Sequence, residues 1–171
     1  SKSPDLKIGG EVGNRLYSKT AVKDYINHVV STAATRFDGL KIALDCANGS
    51  ASVCAKEIFT ALGAKCYMLS DTPDGTNIND GCGSTHPEEL MRFVKDAGLD
   101  LGLAFDGDAD RMLAVDENGE LVDGDKVIAI CAKNMKEEGR LAKDTAVVTV
   151  MSNMGFFKFC EDNGIKCAKT A

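Results

Sequence analysis

Three short apolar runs decide most of what this chain can fold into: "LKIALD" at residues 40–45, "AKCYML" at 64–69 and "LDLGLAF" at 99–105. Each has the length of a strand, about 5–6 residues. Each is apolar at nearly every position, as a strand covered on two faces must be. What separates them is equally informative. "ASVCAKEIFTAL" and "THPEELMRFVKDAG" have helical periodicity and close on Gly63 and Gly98. Antiparallel neighbours need only a tight turn, whereas parallel neighbours need a crossover, usually a helix. The spacing therefore predicts a parallel sheet with helices packed on it. Thr85 and Glu88 have capping-box spacing, and Pro87 suits a first helical turn.

The same logic extends to both sides. Residues 18–37 carry Ala21, Val22, Tyr25, Ile26, Val29, Val30, Ala33 and Ala34 at i, i+3/i+4 spacing. That predicts an amphipathic helix capped by Ser18 or Thr20 and ended by Asp38-Gly39. Residues 1–17 lack periodic apolar signal and read as a leader or linker. "RMLAVDENGELV" reads as a strand and a turn at Glu117-Asn118-Gly119, antiparallel to the run before it. The expected domain covers residues 18–122. It is an α/β, three-layer α/β/α unit whose mixed, mainly parallel four-stranded sheet has the order 2-1-3-4, the last strand antiparallel. A connecting helix spans residues 123–143. Residues 144–171 repeat the plan of strand, Asn-bearing loop, helix, strand, with a helix about one turn shorter. "GAKC" at residues 63–66 recurs as "GIKC" at 164–167. A duplicated α/β domain cut off by the chain end, and a chance likeness of two ordinary β-α-β units, both fit.

Composition narrows the function. The net charge of −6, from 20 basic and 26 acidic residues, disfavours broad binding to nucleic acid or anionic membrane. No apolar run reaches the roughly 20 residues of a membrane helix, and "SKSPDLKIGG" lacks a signal-peptide core. A cytoplasmic location is expected. The seven cysteines form no CxxC pair. They read as small buried thiols in a reducing compartment, rather than as disulfides or a zinc site.

Chemistry concentrates in "LGLAFDGDADRMLAV". Asp106, Asp108 and Asp110 stand at alternate positions at the exit of an apolar strand, and Arg111 follows. Like charges this close repel, and a divalent cation removes that cost. All-oxygen donors suit hard Mg²⁺ or Ca²⁺. An EF-hand matches these acids at its positions 1, 3 and 5 and Glu117 at 12, but it needs Gly where Arg111 stands and helices where strands flank. It is rejected. The strand-end DxD of haloacid-dehalogenase-type phosphatases also fits, although Asp110 replaces the usual Thr or Val; that reading stays open. With a 2-1-3 order, the loops "CANGS" and "DGDADR" would meet at the switch point, where open α/β sheets bind ligands. Asn48 and Gly49 suit left-handed or tight-turn backbone. "CANGS" reads equally as a plain turn and cap or as an anion site at a helix start.

"FDGDADR" resembles the metal-binding loop of the α-D-phosphohexomutases. "GTNINDGCGSTHPEEL" resembles the bacterial phosphoglucosamine mutase branch, with "DCANGS", "VDGDKV" and "VVTVMSNMG" in keeping. The resemblance covers the second of four family domains and the start of the third. It implies an isomerase fragment serving amino-sugar and cell-wall precursor synthesis, by interconverting glucosamine 6-phosphate and glucosamine 1-phosphate through a phosphoserine and a bisphosphorylated sugar. It implies Mg²⁺ held by Asp106, Asp108 and Asp110, and Arg111 in contact with the phosphoryl group, where it also neutralises the acids. The expected partners are a phosphosugar and the family's domain I, remaining domain III and domain IV. Ser50, Ser84 and Ser152 are outside the family's catalytic-serine motif, so the fragment alone should be inactive. His86 reads as a capping or packing residue, and Lys126 and Lys133 as solvated. The same residues also fit a phosphomannomutase or phosphoglucomutase of the same family, or a metal-binding module without chemistry of its own.

Overall fold

The computed structural model describes residues 8–14 and 16–170. Of the stretch read as a leader or linker, residues 1–7 and 15 lie outside the described residues. The remainder is exposed, with one 3-10 turn at Gly9–Glu11.

The first helix, α1 (Ala21–Thr32), starts where Ser18 Oγ accepts from the backbone N–H of Ala21, at 3.1 Å. It stops five residues short of the expected end. The Ser31 and Thr32 hydroxyls donate back to the carbonyls of His28 and Val29, both at 2.7 Å. Such local bonds compete with the helix ladder, and Ala33 turns extended. The chain then brings Phe37 onto Phe59, ring centroids 5.9 Å apart. Asp38-Gly39 therefore precedes a strand instead of closing a helix.

That strand is β1 (Lys41–Asp45). A 3-10 turn at Ser50–Val53 leads into α2 (Ala55–Ala61), then β2 (Lys65–Leu69). After a long loop come α3 (Glu88–Ala97), β3 (Leu101–Phe105), β4 (Met112–Val115) and β5 (Leu121–Val122). The sheet order is β2-β1-β3-β4-β5. β1 is parallel to β2 and β3, and β3–β4 and β4–β5 are antiparallel. The predicted order 2-1-3-4 is present, and the two-residue β5 adds a fifth strand beyond the turn at residues 117–119. The capping box does not form. Thr85 lies in a 3-10 turn at Gly83–Thr85 and its hydroxyl donates to the Cys82 carbonyl, at 3.4 Å, while Pro87 occupies the N-cap of α3.

Alternation along the strands divides two cores. Ile42, Leu44, Leu103 and Ala114 pack against Ala51 of the 3-10 turn and Ala55 of α2. Ala43, Ala104 and Val115 face α3 through Leu90 and Val94. α1 packs outside α2, with Ile26 on Ile58 and Leu62. These are the three expected layers. Fully burying each large aliphatic side chain contributes about 1.5–3 kcal/mol.

α4 (Gly124–Glu137) begins at Asp123, whose side chain accepts from the backbone N–H of Lys126. β6 (Thr145–Thr149), α5 (Met154–Asp162) and β7 (Lys166–Thr170) follow, β6 and β7 forming a separate parallel pair. Ala129 and Ala132 of α4 share a core with Ala146, Val148, Phe156 and Cys160. Among the described residues no helix is long and apolar enough to cross a membrane.

Candidate metal centre

The acid loop joins β3 to β4 at the carboxyl end of the parallel strands. Asp106 N–H donates to the Arg111 carbonyl at 3.3 Å, and Ala109 N–H to the Asp106 carbonyl at 3.0 Å. Ala109 completes the turn in the left-handed region, φ 60°. This tight closure gathers the acids: one oxygen each of Asp106, Asp108 and Asp110 lies within 4.8 Å of the others. Asp106 is buried, 1% exposed, whereas Asp108 and Asp110 face solvent.

Arg111 grips the buried acid twice. Its backbone N–H donates to Asp106 Oδ1 at 3.1 Å and its Nε to Oδ2 at 2.7 Å. Burial acts to raise the Asp106 pKa, but the backbone N–H and then the guanidinium of Arg111 outweigh it and hold the carboxyl below the usual range. The same hydrogen bond raises Arg111 further. Asp110 moves oppositely: repulsion from Asp108, then from Asp106, pushes its carboxyl up. Arg111 thus neutralises the inner acid, and its Nε also stands 3.5 Å from Asp110 Oδ1, which offsets only part of the repulsion on that outer acid. Three convergent oxygen donors with excess negative charge fit a hard divalent cation.

The loop after β1 abuts the acid loop, as the topology predicts. Ser50 N–H donates to the Gly107 carbonyl at 2.8 Å. A Cβ on Gly49 would stand 2.3 Å from that carbonyl oxygen, so only glycine fits. Three of the N–H groups that an anion at "CANGS" would use are already bonded, which favours the plain turn. The N–H groups of Gly49, Ser50 and Ser52 are taken by Cys46, Gly107 and Gly49 carbonyls.

Sequence reading passed over Asp45. Its carboxylate is 1% exposed, and accepts from the N–H groups of Ala47 at 3.0 Å and Gly83 at 2.8 Å. An acid ending an apolar strand was the available signal. His86 neither caps α3 nor packs; it is exposed. Arg111 lines a cleft of about 390 Å³ with Ser84, Thr85, Met112 and Leu113. Lys126 is exposed and donates from Nζ to the Leu121 carbonyl at 2.7 Å, and Lys133 is exposed 3.9 Å from Glu137. All seven cysteines are free thiols. Burial pushes Cys46 and Cys160 up to about 12, which keeps them protonated and unreactive.

Residues 23–119 match the family model for phosphoglucomutase/phosphomannomutase, alpha/beta/alpha domain II, and residues 123–171 match that for domain III. The chain belongs to the phosphoglucomutase/phosphomannomutase family. A phosphoglucosamine mutase of Clostridium acetobutylicum is 54% identical over 165 residues, 96% of this chain and 37% of that protein. One from Clostridioides difficile is 49% identical over 166 residues, 97% of this chain and 37% of that protein. The chain thus spans little more than a third of these relatives. Among solved structures, a family member from Burkholderia thailandensis superposes with a TM-score of 0.72 at 24% identity, over 87% of this chain and 32% of that one. An N-acetylglucosamine-phosphate mutase in the apo form gives 0.61 at 22% identity, over 88% and 36%. At such identities these structures establish the fold.

Proposed function

We propose that this chain is the metal-holding part of a phosphoglucosamine mutase, a cytoplasmic isomerase that interconverts glucosamine 6-phosphate and glucosamine 1-phosphate for amino-sugar synthesis. The observation that carries the reading is the convergence of Asp106, Asp108 and Asp110 within 4.8 Å beside an Asp106-bound Arg111. It stands in a chain about half identical to proteins of that name. Family membership replaces the phosphatase reading.

Asp106, Asp108 and Asp110 would hold Mg²⁺. Bound there, the ion supplies Lewis-acid stabilisation of the charge on a transferring phosphoryl group. The residues of this chain do the rest by position. Asp106 anchors the Arg111 guanidinium through Nε, and a planar guanidinium suits the oxygens of a phosphoryl group. Asp108 and Asp110 keep the outer side of the loop negative, which draws the cation to the face open to substrate. The family resemblance implies that the phosphoryl-carrying serine belongs to another domain of the same enzyme. The working partners are therefore a phosphosugar and those further domains.

The test is an assay of the full-length enzyme with glucosamine 6-phosphate, followed by phosphorus NMR, with and without a chelator. Formation of glucosamine 1-phosphate, abolished by chelation and restored by Mg²⁺, is expected. Preference for glucose or mannose phosphates would overturn the substrate while keeping the family. Activity indifferent to chelation would overturn the metal site.

A further inference from the structure

The residue between the first two acids is held by a segment far from it in sequence. Gly107 has its carbonyl bound by Ser50. Its other side is closed by Ile78 and Asn79: a Cβ there would lie 2.6 Å from Ile78 Cδ1 and 2.8 Å from Asn79 Nδ2. Ile78 stays 52% exposed, so core burial does not explain where it sits. The segment carrying it is tied by its own hydrogen bonds. Asp74 Oδ1 accepts from the N–H groups of Thr76 and Asn77, at 2.8 and 3.0 Å, and Asn77 Nδ2 donates to the Thr72 carbonyl at 3.0 Å.

Asn48 fastens that segment down. Its Oδ1 accepts from Thr72 N–H at 3.1 Å, and its Nδ2 donates to the Asn77 carbonyl at 3.4 Å. Its own N–H donates to the Ser70 carbonyl at 2.6 Å, and the neighbouring Ala47 carbonyl accepts from Asn79 N–H at 2.9 Å. Ala47 and Asn48 are both left-handed, φ 51° and 48°. Two such residues in a row persist only where the surroundings over-determine them. The amide of Asn48 therefore does more than favour a turn. It spans both ends of the 72–77 stretch, and that stretch delivers Ile78 to Gly107.

We propose that Asn48 is a positioning residue: its amide clamps residues 72–79 against Gly107 and so fixes the spacing of Asp106 and Asp108. This rests on the reading of those acids as Mg²⁺ ligands. Groups that orient metal ligands from outside the coordination shell matter about 10–100-fold in affinity.

Asn48→Gly separates the two roles, because glycine accepts a positive φ freely but has no amide. In the 171-residue chain, two quantities are read: amide hydrogen exchange across residues 106–111, and Mg²⁺ affinity from shifts of the same amides. Exchange faster in that loop than elsewhere, with Mg²⁺ binding about tenfold weaker, is expected. Asn48→Asp keeps the acceptor toward Thr72 but loses the donor toward Asn77, and should fall between. Ile78→Ala attacks the other end of the clamp at an exposed position, and should loosen the same loop even if Asn48→Gly fails to fold. Wild-type exchange and affinity in Asn48→Gly or Ile78→Ala would reduce Asn48 to a turn residue and overturn the proposal. If the wild-type loop ignores Mg²⁺, the metal reading falls, and the exchange measurement still decides the clamp.

Discussion

The chain contains two units of strand, Asn-bearing loop, helix and strand, and they use the same plan differently. In the first, β1 lies between β2 and β3, with helices on both faces, and four of its five residues are buried. In the second, among the described residues, β6 pairs only with β7, and Val147 on it is 64% exposed between the buried Ala146 and Val148. The loop asparagines differ too. Asn153 caps α5: its Oδ1 accepts from Phe156 N–H at 3.0 Å, and its own N–H donates to Asp125 at 2.7 Å. Asn48 is turned away from its helix and binds a neighbouring loop, so the helical stretch after it opens as a 3-10 turn without a side-chain cap. The supersecondary plan alone builds a capped helix. In the first unit a third strand brings an acid loop alongside the Asn-bearing loop.

That contrast can be broken at several points. The largest effect should come from the acid loop. In the full-length enzyme, Asp108→Asn should lower turnover about 10²–10³-fold with the fold retained, by loss of electrostatic stabilisation. Asp125→Asn, in the second unit, should leave turnover close to wild type. Steady-state kinetics with circular dichroism as the fold control decides this. Equal losses would erase the distinction between the units.

Next comes core packing. Leu90, 0% exposed against the first sheet, should cost about 2–5 kcal/mol as Leu90→Ala in denaturant unfolding. Val147→Thr, on the open face of β6, should change stability by no more than about 0.5 kcal/mol. A large loss at Val147 would mean that this face is covered in solution.

The smallest effect tests the asparagines. Asn153→Ala should cost about 1 kcal/mol, as loss of a helix cap does. It should leave the amides of residues 106–111 unmoved. Shifts in those amides would show that the second loop also reaches the acid loop.

How much of this was legible in the sequence depended on range. Apolar runs separated by helix-length segments dictated the parallel order, and alternating acids at a strand exit marked the candidate site. Leu121 and Val122 are too few to show a period, so β5 was not visible. The end of α1 was hidden because Ala33 and Ala34 continue the helical spacing, while the hydroxyls of Ser31 and Thr32 stop it. The capping box at Thr85 failed for a tertiary reason: that residue is drawn into a turn whose first N–H, on Gly83, serves Asp45. Asn48 looked like a turn residue. Its contacts with residues 72 and 77 lie across an intervening helix and strand, where no local pattern reaches.

The isolated β6–β7 pair has a colloidal consequence. Each strand leaves one edge without a sheet partner among the described residues. Such an edge is a template for strand addition by another molecule, and charged side chains are what discourage it. β7 carries Lys166 and Lys169, whereas β6 reads Thr-Ala-Val-Val-Thr and has no charge. Among the described residues the edge of β6 thus lacks the charged side chains that protect the edge of β7.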